Sequence, residues 1–261
     1  MTPVVILWAG CGRRISSAYG GMHKALIHLN GEALLDHLLR NVASSGCREL
    51  VPIVGYQGDT ILSAVMSSGS IFDSVIPVDN PDYERTNNLG SLLRAREVLE
   101  GRDFTVVNGD MVFDPGILAK ILSLPAGTNA VAADLKDYGY QLDSPRVLVE
   151  NGRITDIGRH RTIEEADGYA VGIYRFGAEF SKAYFDLGDE LLKENPNAGY
   201  HDVLPLCLDR FTFIPCSTDG MEWMDVDEPA DVTKAEAMLR RIEQLPGVTV
   251  QLSGGIKTSG R

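Results

Sequence analysis

The chain has 261 residues, 44% of them hydrophobic, with a formal net charge of −12 and a pI near 4.8. Length and apolar content suit one α/β domain or two small ones. The acidic balance argues against a nucleic-acid partner or an anionic membrane as ligand, because both call for a basic face.

The first apolar run, Val4–Trp8, has the length of one buried strand. It breaks into Ala9-Gly10-Cys11-Gly12-Arg13-Arg14, and His23-Lys24 follows before a second apolar run. Glycines let backbone N–H groups close on an anion, and fixed cations neutralise it, so this stretch suits phosphate. A dinucleotide G-x-G-x-x-G fails at Ile15, and a G-x-x-x-x-G-K-[ST] loop is absent. What remains is A-G-x-G-x-R with a spaced lysine. A plain strand–turn with surface arginines is the alternative.

Further along, Ala33–Ser45 carries Leu34, Leu38 and Val42 on one helix face. Glu49–Val54 reads as a strand, Asp59–Ser68 as a helix and Phe72–Val78 as a strand. This alternation predicts parallel pairing and a sheet covered on both faces. The polar segment Asp79–Ser91 then leaves a strand end, where open sheets bind ligands. Its asparagines suit a base edge, or else Asn87 or Asn88 caps the helix Leu89–Leu99. Phe104–Val107 is a strand entering Asn108-Gly109-Asp110, a position for a metal-holding acid. Asp114 is better placed than Asp110 to cap the helix starting near Pro115.

Asn129–Ala133 is a further strand, and Asn151-Gly152 predicts a hairpin between Pro145–Glu150 and Arg153–Ile157. Asp167–Phe176 is a strand whose Gly168, Ala170 and Gly172 would admit a ligand or mark a bulge. Ala178–Lys193 reads as a helix, and Gly199–Leu204 opens a short one with Asp202 as cap or ligand contact. Phe211–Pro215 is a strand. Asp225 and Asp227 alternate on an extended segment and so project to one side, ready to grip a cation together with Asp110; Asp227 could equally cap the helix Ala230–Ile242. The tail Gly247–Arg261 is expected to be mobile or an extra strand. The four cysteines form no C-x-x-C and read as reduced thiols of a cytoplasmic protein; no signal peptide or membrane span is apparent, and the five histidines lack zinc spacing.

The fragments AGCGRR…HKALIHLNGEALLDHLL, NPDYERTNNLGSL, VVNGDMV, VENGRITDIGR, DGYAVGIYRF and EWMDVDEPADV occur in order across roughly residues 3–240. In that order the chain resembles the small-molecule cytidylyltransferases acting on choline phosphate, 2-aminoethylphosphonate or inositol 1-phosphate. These are members of the wider NTP-transferase superfamily that includes sugar-1-phosphate nucleotidyltransferases. The resemblance implies one domain over residues 1–245, with 246–261 as a tail. It implies a three-layer α/β/α sandwich with a mixed, mostly parallel sheet, Rossmann-like and of the nucleotide-diphospho-sugar transferase type. By the same resemblance Gly10, Gly12 and Arg14 hold the triphosphate, Ala9 and Arg13 also bind nucleotide, and Lys24 meets the α-phosphate and the incoming phosphate. Arg14 and Lys24 are catalytic, and Asn80, Asn88 and Ser91 belong to the part that reads the base. Asp110 touches nucleotide and, with Asp227 and Asp225, holds Mg²⁺.

Tyr169, Tyr200 and Asp202 are candidate acceptor contacts. A choline headgroup would want an aromatic box from Tyr138, Tyr140, Tyr169, Tyr174, Tyr200 and Trp223, whereas a phosphonate or cyclitol phosphate would need polar contacts. Trp8, where the family commonly has alanine, and Cys11 depart from the pattern; His23 before the lysine matches the choline-phosphate type. The implied reaction joins CMP from CTP to a small phosphate or phosphonate and releases pyrophosphate. A sugar-1-phosphate transferase using UTP, TTP or GTP, and a nucleotide-binding regulator without catalysis, are the rivals. Expected partners are CTP and the acceptor, and a homodimer is compatible with this reading.

Overall fold

The computed structural model describes residues 2–68, 71–135, 144–160, 162 and 164–244. Tyr138, Tyr140 and the tail 246–261 lie outside them. Eight strands make most of the main sheet: β1 (Val4–Trp8), β2 (Glu49–Val54), β3 (Phe104–Asn108), β4 (Asn129–Asp134), β5 (Arg146–Glu150), β6 (Arg153–Gly158), β7 (Gly168–Phe176) and β8 (Phe213–Ser217). β1 lies between β2 and β3, parallel to both. β7 runs antiparallel to β3 and β4, and β8 is parallel to β4. The β5–β6 hairpin joins through the start of β7.

Parallel strands buried on both faces need apolar side chains at every position, which is why VVILW and ELVPIV carry almost no alternation. Val5, Val51 and Val106 face one layer, built by Leu89 and Leu92 of Asn88–Leu93 and by Phe180, Tyr184 and Phe185 of Ala178–Glu194. Val4, Ile6, Trp8 and Val107 face the other, formed by Leu34–Ser44, Gly58–Ser67 and Pro115–Leu122. The three-layer mixed sheet is therefore as the sequence implied. No helix among the described residues is long and apolar enough to cross a membrane.

Several boundaries differ from the reading by pattern. Phe72–Val78 is not one strand but two short pairings with β2, Ser74–Val75 and Val78–Asp79. Pro77 between them offers no N–H to a ladder. The expected helix Leu89–Leu99 breaks into Asn88–Leu93 and Arg96–Leu99. Asp114 does cap Pro115–Leu122, accepting from the Gly116 N–H at 2.8 Å, and Asn87 caps Asn88–Leu93.

Two small ribbons escaped the pattern altogether. His28–Leu29 pairs with Glu32–Ala33 around Asn30-Gly31, both at positive φ. Met111–Phe113 pairs antiparallel with Trp223–Asp225. A third apolar cluster, including Ile15, Ile27, Val112, Val226 and Leu239, packs helix Pro229–Glu243 and this second ribbon against the segment after β1. That cluster brings residues near 24, 110 and 227 to one place.

Candidate active site

The site forms where β1 and β3 end side by side. Trp8 is buried, and its indole N–H donates to the Gly109 carbonyl at 3.0 Å. A Cβ on Gly109 would lie 2.2 Å from the Leu7 carbonyl oxygen, so only glycine lets this turn press onto β1. Asp110 emerges from that turn. Across from it, Gly12 takes φ +52, and a Cβ there would meet Lys24 Cε at 2.9 Å. The lysine stem therefore lies against the glycine turn.

Lys24 Nζ donates to Asp110 Oδ2 at 2.9 Å and to Asp227 Oδ1 at 2.6 Å. Burial works against its charge, yet the two carboxylates and their hydrogen bonds hold its pKa well above the ordinary lysine value. The Arg14 guanidinium is exposed, 3.5 Å from both Asp227 Oδ2 and Glu228 Oε1. The two acidic segments are tied directly, the Val226 N–H donating to the Asp110 carbonyl at 2.7 Å. Asp231 fixes the next turn by accepting from the N–H groups of Asp227 and Glu228. Burial, with the charges of Asp110 and Asp227 added, pushes the Asp225 carboxyl well above the usual carboxylate range. Its Oδ1 has no hydrogen-bond partner among the described residues.

Two clefts meet at Asn88, Asn108 and Asp110. The smaller, about 200 Å³, is bounded by Ala9, Gly10, Tyr83 and Ser91. The larger, about 420 Å³, is bounded by Arg14, Arg159, Tyr200, His201, Asp225 and Asp227. Arg14, Lys24, Asp110, Asp225 and Asp227 are thus brought together, with Ala9, Gly10, Asn88 and Ser91 beside them.

Other candidates are placed differently. Arg13 is exposed and borders neither cleft. Asn80 is fully buried and also borders neither; its amide donates to Ser91 Oγ at 3.0 Å and its Oδ1 accepts from the Asp82 N–H. It braces the loop that carries Ser91. Asp202 acts as the cap that was one of its two readings, accepting from the Gly199 N–H at 2.7 Å, and does not border the larger cleft. Tyr169 is buried in the sheet and lines neither cleft, though its neighbour Ala170 lines the larger. Tyr200 does border the larger one, though its hydroxyl is spent on Asn108 Oδ1 at 3.0 Å, and Trp223 donates to Asp134 instead of forming a box.

Pattern reasoning missed Asn108, Arg159 and His201. Asn108 ends a parallel strand, a position that could have flagged it; nothing local in the sequence marks the other two. His201 has a pKa pushed down to about 4, chiefly by burial, with Asp202 opposing. The β7 bulge is real: the register shifts between Ala170 and Tyr174, and a Cβ on Gly172 would meet Asn108 Nδ2 at 2.7 Å.

Among the described residues no three His, Cys, Asp or Glu side chains already form a metal cluster. The convergent pair Asp110 and Asp227 offers hard oxygen donors. Mg²⁺ commonly takes one or two carboxylates and completes its shell with water and substrate phosphates, so this donor set suits it.

A model of the MobA-like NTP transferase domain matches residues 4–169. The "Bifunctional IPC transferase and DIPP synthase" of Aquifex aeolicus is 28% identical over 236 residues, which is 90% of this chain and 51% of that protein. The "CMP-5'-(3-aminopropyl)phosphonate synthase" of Streptomyces rubellomurinus is 26% identical over 264 residues, 96% of this chain and 41% of that protein. The chain therefore spans about half the length or less of these relatives. The solved structure of the inositol-1-phosphate CTP transferase from T. maritima superposes with a TM-score of 0.78 at 20% identity, covering 96% of this chain and 98% of that one. At that identity the match speaks for the fold.

Proposed function

Because the chain belongs to the MobA-like NTP transferase family, we propose that it transfers CMP from CTP to a small phosphate or phosphonate, releasing pyrophosphate. The observation that carries this is Lys24, a buried cation that lines neither cleft itself but is bound to Asp110, which lines both, and to Asp227, which lines the larger. The smaller cleft takes the nucleoside, with Asn88 and Ser91 at the base. The larger takes the acceptor, and the α-phosphate lies between them beside Lys24 and Arg14. The relative named for CMP and phosphonate chemistry supports cytidine and this acceptor class.

In the reaction an acceptor oxygen forms a bond to the α-phosphorus as the bond to the bridging oxygen breaks, and pyrophosphate departs with that electron pair. The acceptor is already an anion at neutral pH, so no protein base or nucleophile is required. The obstacle is bringing two anions together in line. Catalysis of such transfers is mostly positioning and electrostatic stabilisation. Asp110 and Asp227 would hold Mg²⁺, which when bound supplies charge neutralisation at the phosphates. Lys24 and Arg14 then face the developing charge with fixed donors. In the larger cleft Asp225 Oδ1 has no hydrogen-bond partner among the described residues, and His201 shares the lining; these polar groups suit a polar acceptor better than a quaternary ammonium.

The test is a pyrophosphate-release screen of CTP, UTP, TTP and GTP against phosphonates, phosphocholine, inositol 1-phosphate and hexose 1-phosphates. Turnover confined to CTP with one of the first three acceptor classes is expected. Preference for a hexose 1-phosphate with another nucleotide would overturn it. Release should stop in EDTA and return with Mg²⁺; full activity in chelator would remove the carboxylate-held ion.

A further inference from the structure

We propose that His23 is a positioning residue: its imidazole, bridging the Ala25 N–H and the Trp8 carbonyl, sets Lys24 against Asp110. The inference rests on the role given to Lys24 above. His23 is only 2% exposed and both its ring nitrogens are engaged with backbone groups, so it is placed to act through its neighbour and not on substrate. Its Nδ1 accepts from the Ala25 N–H at 3.0 Å, and its Nε2 lies 3.0 Å from the Trp8 carbonyl oxygen. A backbone N–H can only donate and a carbonyl can only accept. The tautomer is therefore dictated: Nδ1 is bare and Nε2 carries the proton.

One end of the ring caps the short turn Lys24–Leu26, and the other fastens that turn to the end of β1. The residue it fastens to is the one whose indole holds the Gly109 carbonyl, one position before Asp110. The path from Ala25 through His23 and Trp8 to Gly109 thus links the backbone that carries Lys24 to the backbone that carries Asp110. Gln57 Oε1 accepts from the His23 N–H at 2.9 Å, and the Tyr56 ring stacks at 6.1 Å, which leaves the imidazole little freedom. Tyr56 also donates its N–H to the Ala9 carbonyl and its hydroxyl to the Gly21 carbonyl. Both ends of the glycine loop are held by the same turn.

The test is a double-substitution cycle read by pyrophosphate release from the full chain. His23→Ala is expected to lower kcat by about 10- to 100-fold, the cost of displacing a catalytic group by roughly 1 Å. The KM for CTP should stay within about 3-fold, because ground-state binding does not depend on where the ammonium points. In a Lys24→Ala background the same substitution should change the residual rate by less than about 2-fold, since nothing remains to be positioned. His23→Asn keeps an acceptor for the Ala25 N–H but loses the link to Trp8, and should recover part of the rate. That variant decides the matter if His23→Ala does not fold. Equal losses in both backgrounds, or wild-type kcat in His23→Ala, would overturn the positioning role alone. Wild-type turnover by Lys24→Ala would remove the Lys24 assignment and this inference with it.

Discussion

On the β1 side of Asp110 the polar groups are engaged. His23 uses both ring nitrogens, Trp8 its indole, and Lys24 binds two carboxylates. On the β7 side, Asp225 Oδ1 is buried without a hydrogen-bond partner among the described residues, and buried His201 Nε2 has Asp202 Oδ1 3.2 Å away but out of hydrogen-bond alignment. A buried polar atom left unmade costs about 1–3 kcal/mol, so native folds rarely keep one without use. Under the proposed function the difference would separate two tasks: one wall fixed in advance around a phosphate shared by all substrates, the other holding back bonding capacity for the part of the acceptor that varies. On this view, substitutions in the fixed wall should change rate or stability, and those in the open wall should change pH dependence and acceptor choice.

The largest effect is expected at Lys24. Lys24→Met keeps the apolar stem that lies against Gly12 but removes the charge. Steady-state pyrophosphate release should fall by about 10²- to 10³-fold, as for loss of one preorganised electrostatic donor. Near-normal turnover would show that the fixed wall is scaffold only. Next comes Gly109→Ala, whose new Cβ has backbone and the Trp8 ring at 2.2–2.3 Å. Overpacking of that kind costs about 1–3 kcal/mol or more, visible as a lower urea midpoint. Gly10→Ala, where a Cβ meets nothing within 4 Å, should leave the midpoint in place.

The two walls were also unequally legible in the sequence. The front wall is nearly contiguous: a strand, two glycines, an arginine and a lysine fall within one stretch, and Asp110 follows another strand directly. The wall on the β7 side is assembled from β7, the loop before β5, the turn at His201 and a three-residue ribbon pairing Met111–Phe113 with Trp223–Asp225. Strands so short carry no periodicity, and nothing local reports a partner more than a hundred positions away. Asn80 illustrates a second limit. Its polarity and its place at a strand end were both read correctly, but polarity does not say which way a side chain points, and this one turns inward to Ser91. Tyr169 and Asp202 likewise line neither cleft.

In the open wall the sharper probe is pH. Burial holds His201 at a pKa of about 4, against 6.5 for the free side chain. Above pH 6.5 it is neutral in both folded and unfolded chains and contributes no pH dependence. Between 6.5 and 4 the unfolded chain takes up a proton that the folded one resists, so stability falls as the pH drops. At about 1.4 kcal/mol per pH unit, the penalty reaches about 2 kcal/mol at pH 5. Unfolding free energies of wild type and His201→Gln, compared at pH 7 and pH 5, should show wild type losing about that much more. Parallel pH profiles would mean that Asp202, 3.2 Å from His201 Nε2, or solvent offsets the burial and that His201 does not set the pH dependence of this wall.

The smallest effect, and the one that best separates scaffold from machinery, is Trp8→Phe. Phenylalanine fills most of the buried volume but gives nothing to the Gly109 carbonyl. Stability should fall by about 1 kcal/mol, the net worth of one buried hydrogen bond. If the indole only closes a gap between strands, kcat will be untouched. If it is the link by which the Lys24 turn and the Asp110 turn keep their distance, kcat will fall by several-fold, up to about 10-fold, while the KM values for CTP and acceptor hold. A KM change for the acceptor with constant kcat would contradict both, because it would mean that the engaged wall, and not the open one, reads the acceptor.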